Sequence, residues 1–234
     1  MRRNSSPFKW RHYAPDVIPL CLRRYCHYSL GHRDIEEMTR ERGLTADHVN
    51  AFRRVQRCAP EINKRMRPHL KMSGASHRPD ETYVKVGGSW KYLRRAADKD
   101  GAAIESTPSA KRDVPAAKRF FKELMRAGRR RPPFAVGADR RASHPEAFAT
   151  PVKGEVLPAD CELRGVEYLN NVIEQGHRTM RRRWRAKQWF RPLHTAGRTP
   201  EGVESLHMIG KGRVKRLDGR DAAGRAKSVA SSPV

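Results

Sequence analysis

Three carboxylates, Asp80, Asp139 and Glu174, lie in sequence contexts that could form one metal-binding site. Asp80 opens Asp80-Glu81-Thr82-Tyr83-Val84-Lys85-Val86, whose Thr82 to Val86 segment reads as a strand. Asp139 follows the short apolar run Pro133-Phe134-Ala135-Val136, and 34 residues (174 − 139 − 1) separate it from Glu174 in a helical stretch. Two strand-borne aspartates and a helix-borne glutamate suit a pair of Mg²⁺ ions, which take hard oxygen ligands and keep several waters. Two such ions about 3.5–4 Å apart activate the attacking oxygen and neutralise the leaving one in phosphodiester displacement. In this reading Asp80 bridges the ions, and Asp139 and Glu174 each hold one side. Arg178 and Arg181 follow Glu174 by four and seven residues, on the same helical face, where a cation can clamp the attacked phosphate. Arg181 is equally readable as part of a solvated basic run from Arg178 to Arg185.

The elements that must position these groups are legible in outline. Gly87-Gly88 turns the first strand into a hairpin with Trp90 to Ala96, and Lys99-Asp100-Gly101 marks another turn. Pro115 to Ala127 is helical, with Ala116, Phe120, Phe121 and Leu124 on one face, and Pro133 to Val136 forms a short strand. This pattern alone gives a mixed α/β class.

Ahead of it stands a helical region. Ile18, Cys21, Leu22, Tyr25 and Cys26 recur at helical spacing after a possible Asp16 cap, and a second helix begins near His32 with Ile35 and Met38 inward. Gly43-Leu44-Thr45 makes a turn, with the Thr45 hydroxyl placed to cap a third helix over about 46–57. Val49, Phe52 and Val55 are expected on its inner face, and Asn50, Arg53, Arg54 and Arg57 on an outer basic stripe. A helix-turn-helix and a plain three-helix bundle both fit that pattern. The charge favours DNA: 50 Lys and Arg against 25 Asp and Glu give a net +25, an imbalance usually balanced by a polyanion.

Hydrophobic residues make up 37 %, below the globular norm of about 45–50 %. No run approaches the roughly 18 apolar residues of a membrane span, and Met1 to Pro7 has no signal-peptide pattern. A cytoplasmic, nucleoid-associated protein with no membrane partner is expected. The four cysteines lack zinc-site spacing and read as reduced thiols. Trp184, Trp189 and Phe190 could stack on exposed bases but fit a core better.

Several separated blocks carry a specific likeness. They are Tyr28-Ser29-Leu30-Gly31-His32-Arg33-Asp34-Ile35-Glu36-Glu37-Met38, Glu41-Arg42-Gly43-Leu44, Asp80 to Val86, Ala117-Lys118-Arg119-Phe120-Phe121, Tyr168-Leu169-Asn170-Asn171 with Glu174-Gln175, and His207-Met208-Ile209. From about Phe8 to Lys211 the chain resembles the DDE transposases of bacterial insertion sequences, in the family named after insertion sequence six. The resemblance implies an N-terminal helix-turn-helix that reads terminal inverted repeats, followed by an RNase H-like mixed-sheet catalytic domain. It implies metal-dependent 3′-end cleavage and strand transfer with two Mg²⁺ ions, for which Mn²⁺ substitutes, on double-stranded terminal and target DNA. Asp80, Asp139 and Glu174 match the triad and Arg181 the basic residue seven beyond the glutamate; a homodimer on DNA follows from the need to join two ends. The expected division is 1–58 for the basic arm and helix-turn-helix, 59–76 for a linker, 77–210 for the catalytic domain and 211–234 for a basic disordered tail.

Departures from the family pattern fall in the scaffold. Pro79 precedes Asp80 in an expected central strand, Ile104 to Pro108 is polar and broken, and Arg140 to His144 is unlike the family. Gly176 lies beside Glu174, while Pro192, Gly197 and Pro200 interrupt the last helical region, although Thr199-Pro200-Glu201 could restart it. A relic that binds DNA without catalysis is therefore the alternative reading. A basic RNA-binding protein ranks last because it leaves the carboxylates unexplained.

Overall fold

The computed structural model describes residues 17–44, 47–71, 74, 76–127, 135–138, 155–165, 178, 180, 182–183, 190–215, 217, 221 and 224. Two compact units comprise Met1–Lys71, Met180–Gln188 and Arg198–Val234, and Met72–Thr179 and Trp189–Gly197.

In the first unit, apolar spacing builds three helices, α1 (Val17–His27), α2 (His32–Arg40) and α3 (His48–Met66). Helix α1 buries Val17, Ile18, Cys21, Leu22, Tyr25 and Cys26 along one stripe. Burial pushes the Tyr25 phenol well above its usual range. Its ring stacks on His32 at 4.2 Å, and Phe52 meets His32 edge-on at 5.1 Å, which ties the three helices together. Asp34 caps α2 by accepting the Gly31 N–H at 2.7 Å. Gly43, at φ +70°, ends the following turn, where Leu44 N–H reaches Thr39 O at 3.0 Å.

Helix α3 departs from expectation at both ends and on its inner face. The expected cap, Thr45, lies outside the described residues, and the observed N-cap position is Asp47. Glu36 of α2 serves that end, since its Oε2 accepts the His48 N–H at 3.2 Å and meets His48 Nδ1 at 2.8 Å. The helix runs on through Pro60 to Met66, into the stretch read as a linker, because Ala59, Ile62 and Met66 continue the buried stripe begun by Ala51 and Val55. Val49, expected inside, is 39 % exposed, and Phe52 is only half-buried. Small Ala51 takes the inner position instead.

The last helix, α5 (Thr195–Gly210), is continuous, contrary to the interruption expected at Gly197 and Pro200. Its opening turn is tight, with Thr195, Ala196 and Gly197 N–H groups bonded three residues back, so Pro200 removes a donor only near the start. Gly202 lets α5 pass close to α3, since a Cβ there would lie 2.7 Å from Ala59 Cβ. Gln56 Nε2 donates to Thr199 Oγ1 at 2.7 Å across the same contact. Ordered chain also extends beyond the expected tail boundary: Val214 is buried and bridges to Leu70, while Lys71 N–H bonds Arg213 O at 2.8 Å.

The second unit is a mixed five-stranded sheet of order β3-β2-β1-β4-β5. Its strands are β1 (Ser76–Val86), β2 (Ser89–Asp98), β3 (Ala103–Ser109), β4 (Ala135–Ala138) and β5 (Glu162–Gly165). Strands β1, β2 and β3 are antiparallel neighbours, whereas β4 runs parallel to β1 and to β5. Gly87 and Gly88 have φ +54° and +81°, the positive angles a type I′ hairpin demands. The buried Asp98 organises the β2–β3 turn, with Oδ1 accepting the Ala102 and Asp100 N–H groups at 2.8 and 3.0 Å.

Pro108, expected to break its segment, lies inside β3. That strand is the sheet edge, where a missing N–H is tolerated. Helix α4 (Val114–Ala127) makes the crossover to β4, and its Ala117, Phe120, Phe121 and Leu124 bury against Ala96, Val136, Leu157 and Cys161. Phe190 is buried and bridges to Val86, a core role, while Trp184 and Trp189 lie outside the described residues.

The Gly202 contact leaves no room for a methyl group. Gly202→Ala should lower stability by about 1–2 kcal/mol in urea denaturation, although alanine's helix propensity contributes about 1 kcal/mol the other way. A stabilised variant would refute the close approach.

Candidate active site

Asp80 stands on β1, the central strand, and is half-buried. Its Oδ1 accepts the Glu81 N–H at 2.7 Å, which fixes the carboxylate against its own backbone. Cross-strand partners share a face of the pleated sheet. Asp80 faces Arg95, whereas Glu81 faces Arg94, Tyr83 faces Tyr92 and Lys85 faces Trp90 on the other side. Ala96, on the Glu81 side, packs under α4, so Asp80 projects from the face opposite that helix.

The parallel pairing of β1 with β4 is short. Ser76 pairs with Ala135 and His77 with Val136, after which the ladder stops, although β4 continues to pair with β5 as far as Ala138. Pro79 explains the stop. It has no N–H to bond, and Glu81, whose N–H points the same way along the strand, gives its proton to Asp80. The proline thus costs central-strand pairing, as its place in the sequence implies.

On the α4 side, the Glu81 carboxylate is nearly buried between Arg94 at 3.2 Å and Arg112 at 2.8 Å. Burial pulls the Arg94 guanidinium below its usual range, and Glu81 and Asp113 oppose that shift. No sequence pattern signals this cluster, because the hairpin register brings Arg94 to Glu81 while Arg112 arrives from the connection between β3 and α4.

Of the other site residues, Asp139, Glu174 and Arg181 lie outside the described residues. Arg178 is helical and exposed. Arg182 is exposed but Arg183 is buried, so the basic run is not wholly a solvated face; desolvation lowers the Arg183 pKa. On α3 the expected four-residue stripe divides: Arg53 and Arg57 are exposed, whereas Asn50 and Arg54 are half-buried. The division follows from the inner face being centred on Ala51 and Val55 rather than Val49 and Phe52.

Among the described residues, one trio of metal-capable groups converges, Glu36, Asp47 and His48. It is accounted for by the α2–α3 contact: the His48 hydrogen bond holds the Glu36 carboxyl below its usual range, and Arg40 pairs with Glu36 at 2.7 Å. No described helix is long and apolar enough to cross a membrane.

Residues 74–213 match the family described as a DDE domain, a span that holds Asp80, Asp139 and Glu174. A transposase for insertion sequence-like element IS431mec from Staphylococcus aureus is 34 % identical over 204 residues, covering 87 % of this chain and 88 % of the relative. The chain belongs to the family of insertion-sequence DDE transposases. A second Staphylococcus aureus relative, the transposase for insertion sequence element IS257 in transposon Tn4003, is 33 % identical over the same shares. A simian T-cell lymphotropic virus intasome in complex with PP2A regulatory subunit B56 gamma aligns at TM-score 0.44 and 11 % identity, over 92 % of this chain and 73 % of that one. That similarity is too distant to bear on fold or function.

Membership in the DDE transposases implies use of divalent metal, and Asp80 suits it: a carboxylate on a rigid central strand offers the hard oxygen such ions take. His77, three residues before Asp80, is fully buried, and desolvation pushes its pKa down to about 4 against the pull of Asp98. An unfolded histidine binds a proton near pH 6.5 and this one does not until about pH 4, so stability falls as pH drops through that window. The loss should reach at most about 3 kcal/mol in urea unfolding, and His77→Leu should show a smaller one; equal losses would refute the assignment.

Proposed function

We propose that this transposase-family chain is an active DNA strand transferase whose Asp80, Asp139 and Glu174 together hold two divalent ions. One observation carries the reading. In the parallel register Ser76↔Ala135, Asp80 is four residues beyond Ser76 and Asp139 is four beyond Ala135 (80 − 76 and 139 − 135). Equal sequence offsets from that pair support the two carboxylates sharing an ion, although the paired ladder itself ends at His77 and Val136. The element order, hairpin, third antiparallel strand, helix, then parallel strand, agrees with the RNase H-like domain that the resemblance implies.

When bound, the ions activate the attacking oxygen and neutralise the leaving one. The chain's own groups do the rest. Asp80, held by the Glu81 N–H, is a fixed oxygen donor; Asp139 and Glu174 complete the set; Arg178 and Arg181 bind the phosphate under attack. The first reaction frees a 3′-hydroxyl at the element's end, and the second joins that hydroxyl to target DNA. Helices α2 and α3 act as the helix-turn-helix that reads the terminal inverted repeat, with exposed Arg53 and Arg57 at the bases. Half-buried Asn50 and Arg54 complete the DNA-facing stripe of the same helix, two copies act on two ends, and the working location is the nucleoid. The continuity of β3 and α5 through Pro108 and Pro200 removes two of the grounds for a DNA-binding relic.

With pre-cleaved terminal-repeat DNA and Mg²⁺, joined product should form. Asp80→Asn and Glu174→Gln should each reduce it by about three orders of magnitude while leaving repeat binding intact. Product that survives both changes would reject the triad. Arg53→Ala and Arg57→Ala should each narrow the preference for the repeat over random DNA by about 1–3 kcal/mol in a binding titration; equal losses on both DNAs would reduce them to phosphate contacts.

A further inference from the structure

The hairpin end of the sheet exposes a second surface, on the face away from Asp80. Tyr83 and Trp90 are 54 % and 64 % exposed, unusual for large aromatic residues on a sheet. Tyr83 lies 5.5 Å from Tyr92, ring centre to ring centre. Lys85 Nζ stands 5.8 Å from the Trp90 ring centre, and the Arg112 guanidinium carbon 5.8 Å from that of Tyr92. The register sets Tyr83 against Tyr92 and Lys85 against Trp90, so all four rise from one face. Glu81, the acidic neighbour, is engaged by Arg94 and Arg112, which leaves the exposed patch cationic.

We propose that Tyr83, Lys85, Trp90, Tyr92 and Arg112 form a platform for single-stranded DNA, with bases stacked on the rings and phosphates held by the two cations. Interleaved aromatic and cationic groups are the chemistry of single-strand binding. Trp90 and Tyr92 are two residues apart on one strand, about 6.8 Å. That is about twice the 3.4 Å stacked rise of a DNA strand, so a base on each ring needs an extended, unpaired strand rather than duplex. A cross-strand tyrosine pair alone would stabilise the hairpin, but it does not require Trp90 at its tip to remain mostly uncovered. The proposal uses none of the three carboxylates, and its readout is binding, so it fails or stands separately from strand transfer.

The test is fluorescence anisotropy of the full chain with a labelled thymidine oligonucleotide, the same-length duplex and single-stranded RNA as competitor. Trp90→Ala and Tyr83→Ala should each weaken single-strand binding by about five- to a hundred-fold while changing duplex binding less than twofold. Trp90→Phe, which keeps a ring, should retain most of the affinity and serves as the folding control. Unchanged single-strand affinity in Trp90→Ala, or an equal loss on duplex, would overturn the platform. So would a lower sedimentation mass of Trp90→Ala, which would make the patch a contact between copies. Displacement by RNA at far lower concentration than by DNA would overturn the DNA assignment.

Discussion

Two parallel strands cannot be joined by a tight turn, so the pairing of β1 with β4 commits the intervening chain to a crossover. That crossover is α4, and its apolar face is what holds the pairing in place: Phe120, Phe121 and Leu124 close over Ala96 and Val136. With α4 covering one face, the alternation of side chains turns Asp80 to the other. Glu81, one residue on, is turned inward and finds Arg94 and Arg112. The site and its support are therefore two sides of the same strand. Pro79 shortens the ladder on the β4 side just before Asp80, which leaves helix packing rather than extra hydrogen bonds to hold the two strands together.

The charge of +25 has more than one structural role. Some cations are internal fixtures: Arg94 is buried against Glu81, and Arg183 is buried in the helical unit. Others, such as Arg53 and Arg57 on α3, stand in solvent where a polyanion can reach them. The two proposals place DNA on different surfaces, and the sheet face with Trp90 differs from the helical stripe in offering rings beside its cations. Salt would weaken binding at either surface, but only the aromatic one would gain from an unpaired base.

What was legible in the sequence was local. Gly87-Gly88 announces its hairpin because only glycine takes both positive angles cheaply, and α4 announces itself because four apolar residues share one helical face. Tertiary context overrules local rules at several positions. Pro108 does not break β3, because an edge strand is paired on one side only and tolerates a missing N–H on the other. Pro200 does not break α5, because it falls near the helix start, and it and Thr199 are buried. Helix α3 outran its expected end because Ala59 and Ile62 pack inward past Pro60, and Val49 faces out because small Ala51 admits closer packing than a bulkier residue would. The strand that carries Asp80 is legible in its sequence; the Glu81–Arg94–Arg112 cluster and the exposed Tyr83 and Trp90 depend on tertiary placement.

The proposed site requires residues far apart in sequence to share divalent ions. The most direct measurement loads the protein with Fe²⁺ in place of Mg²⁺, adds peroxide, and maps where hydroxyl radicals cut the chain's own backbone. Cuts are expected next to Asp80, Asp139 and Glu174, suppressed by excess Mg²⁺ and lost in Asp80→Asn. Cuts confined to the neighbourhood of Glu36 and His48, or none near Asp139 and Glu174, would contradict it.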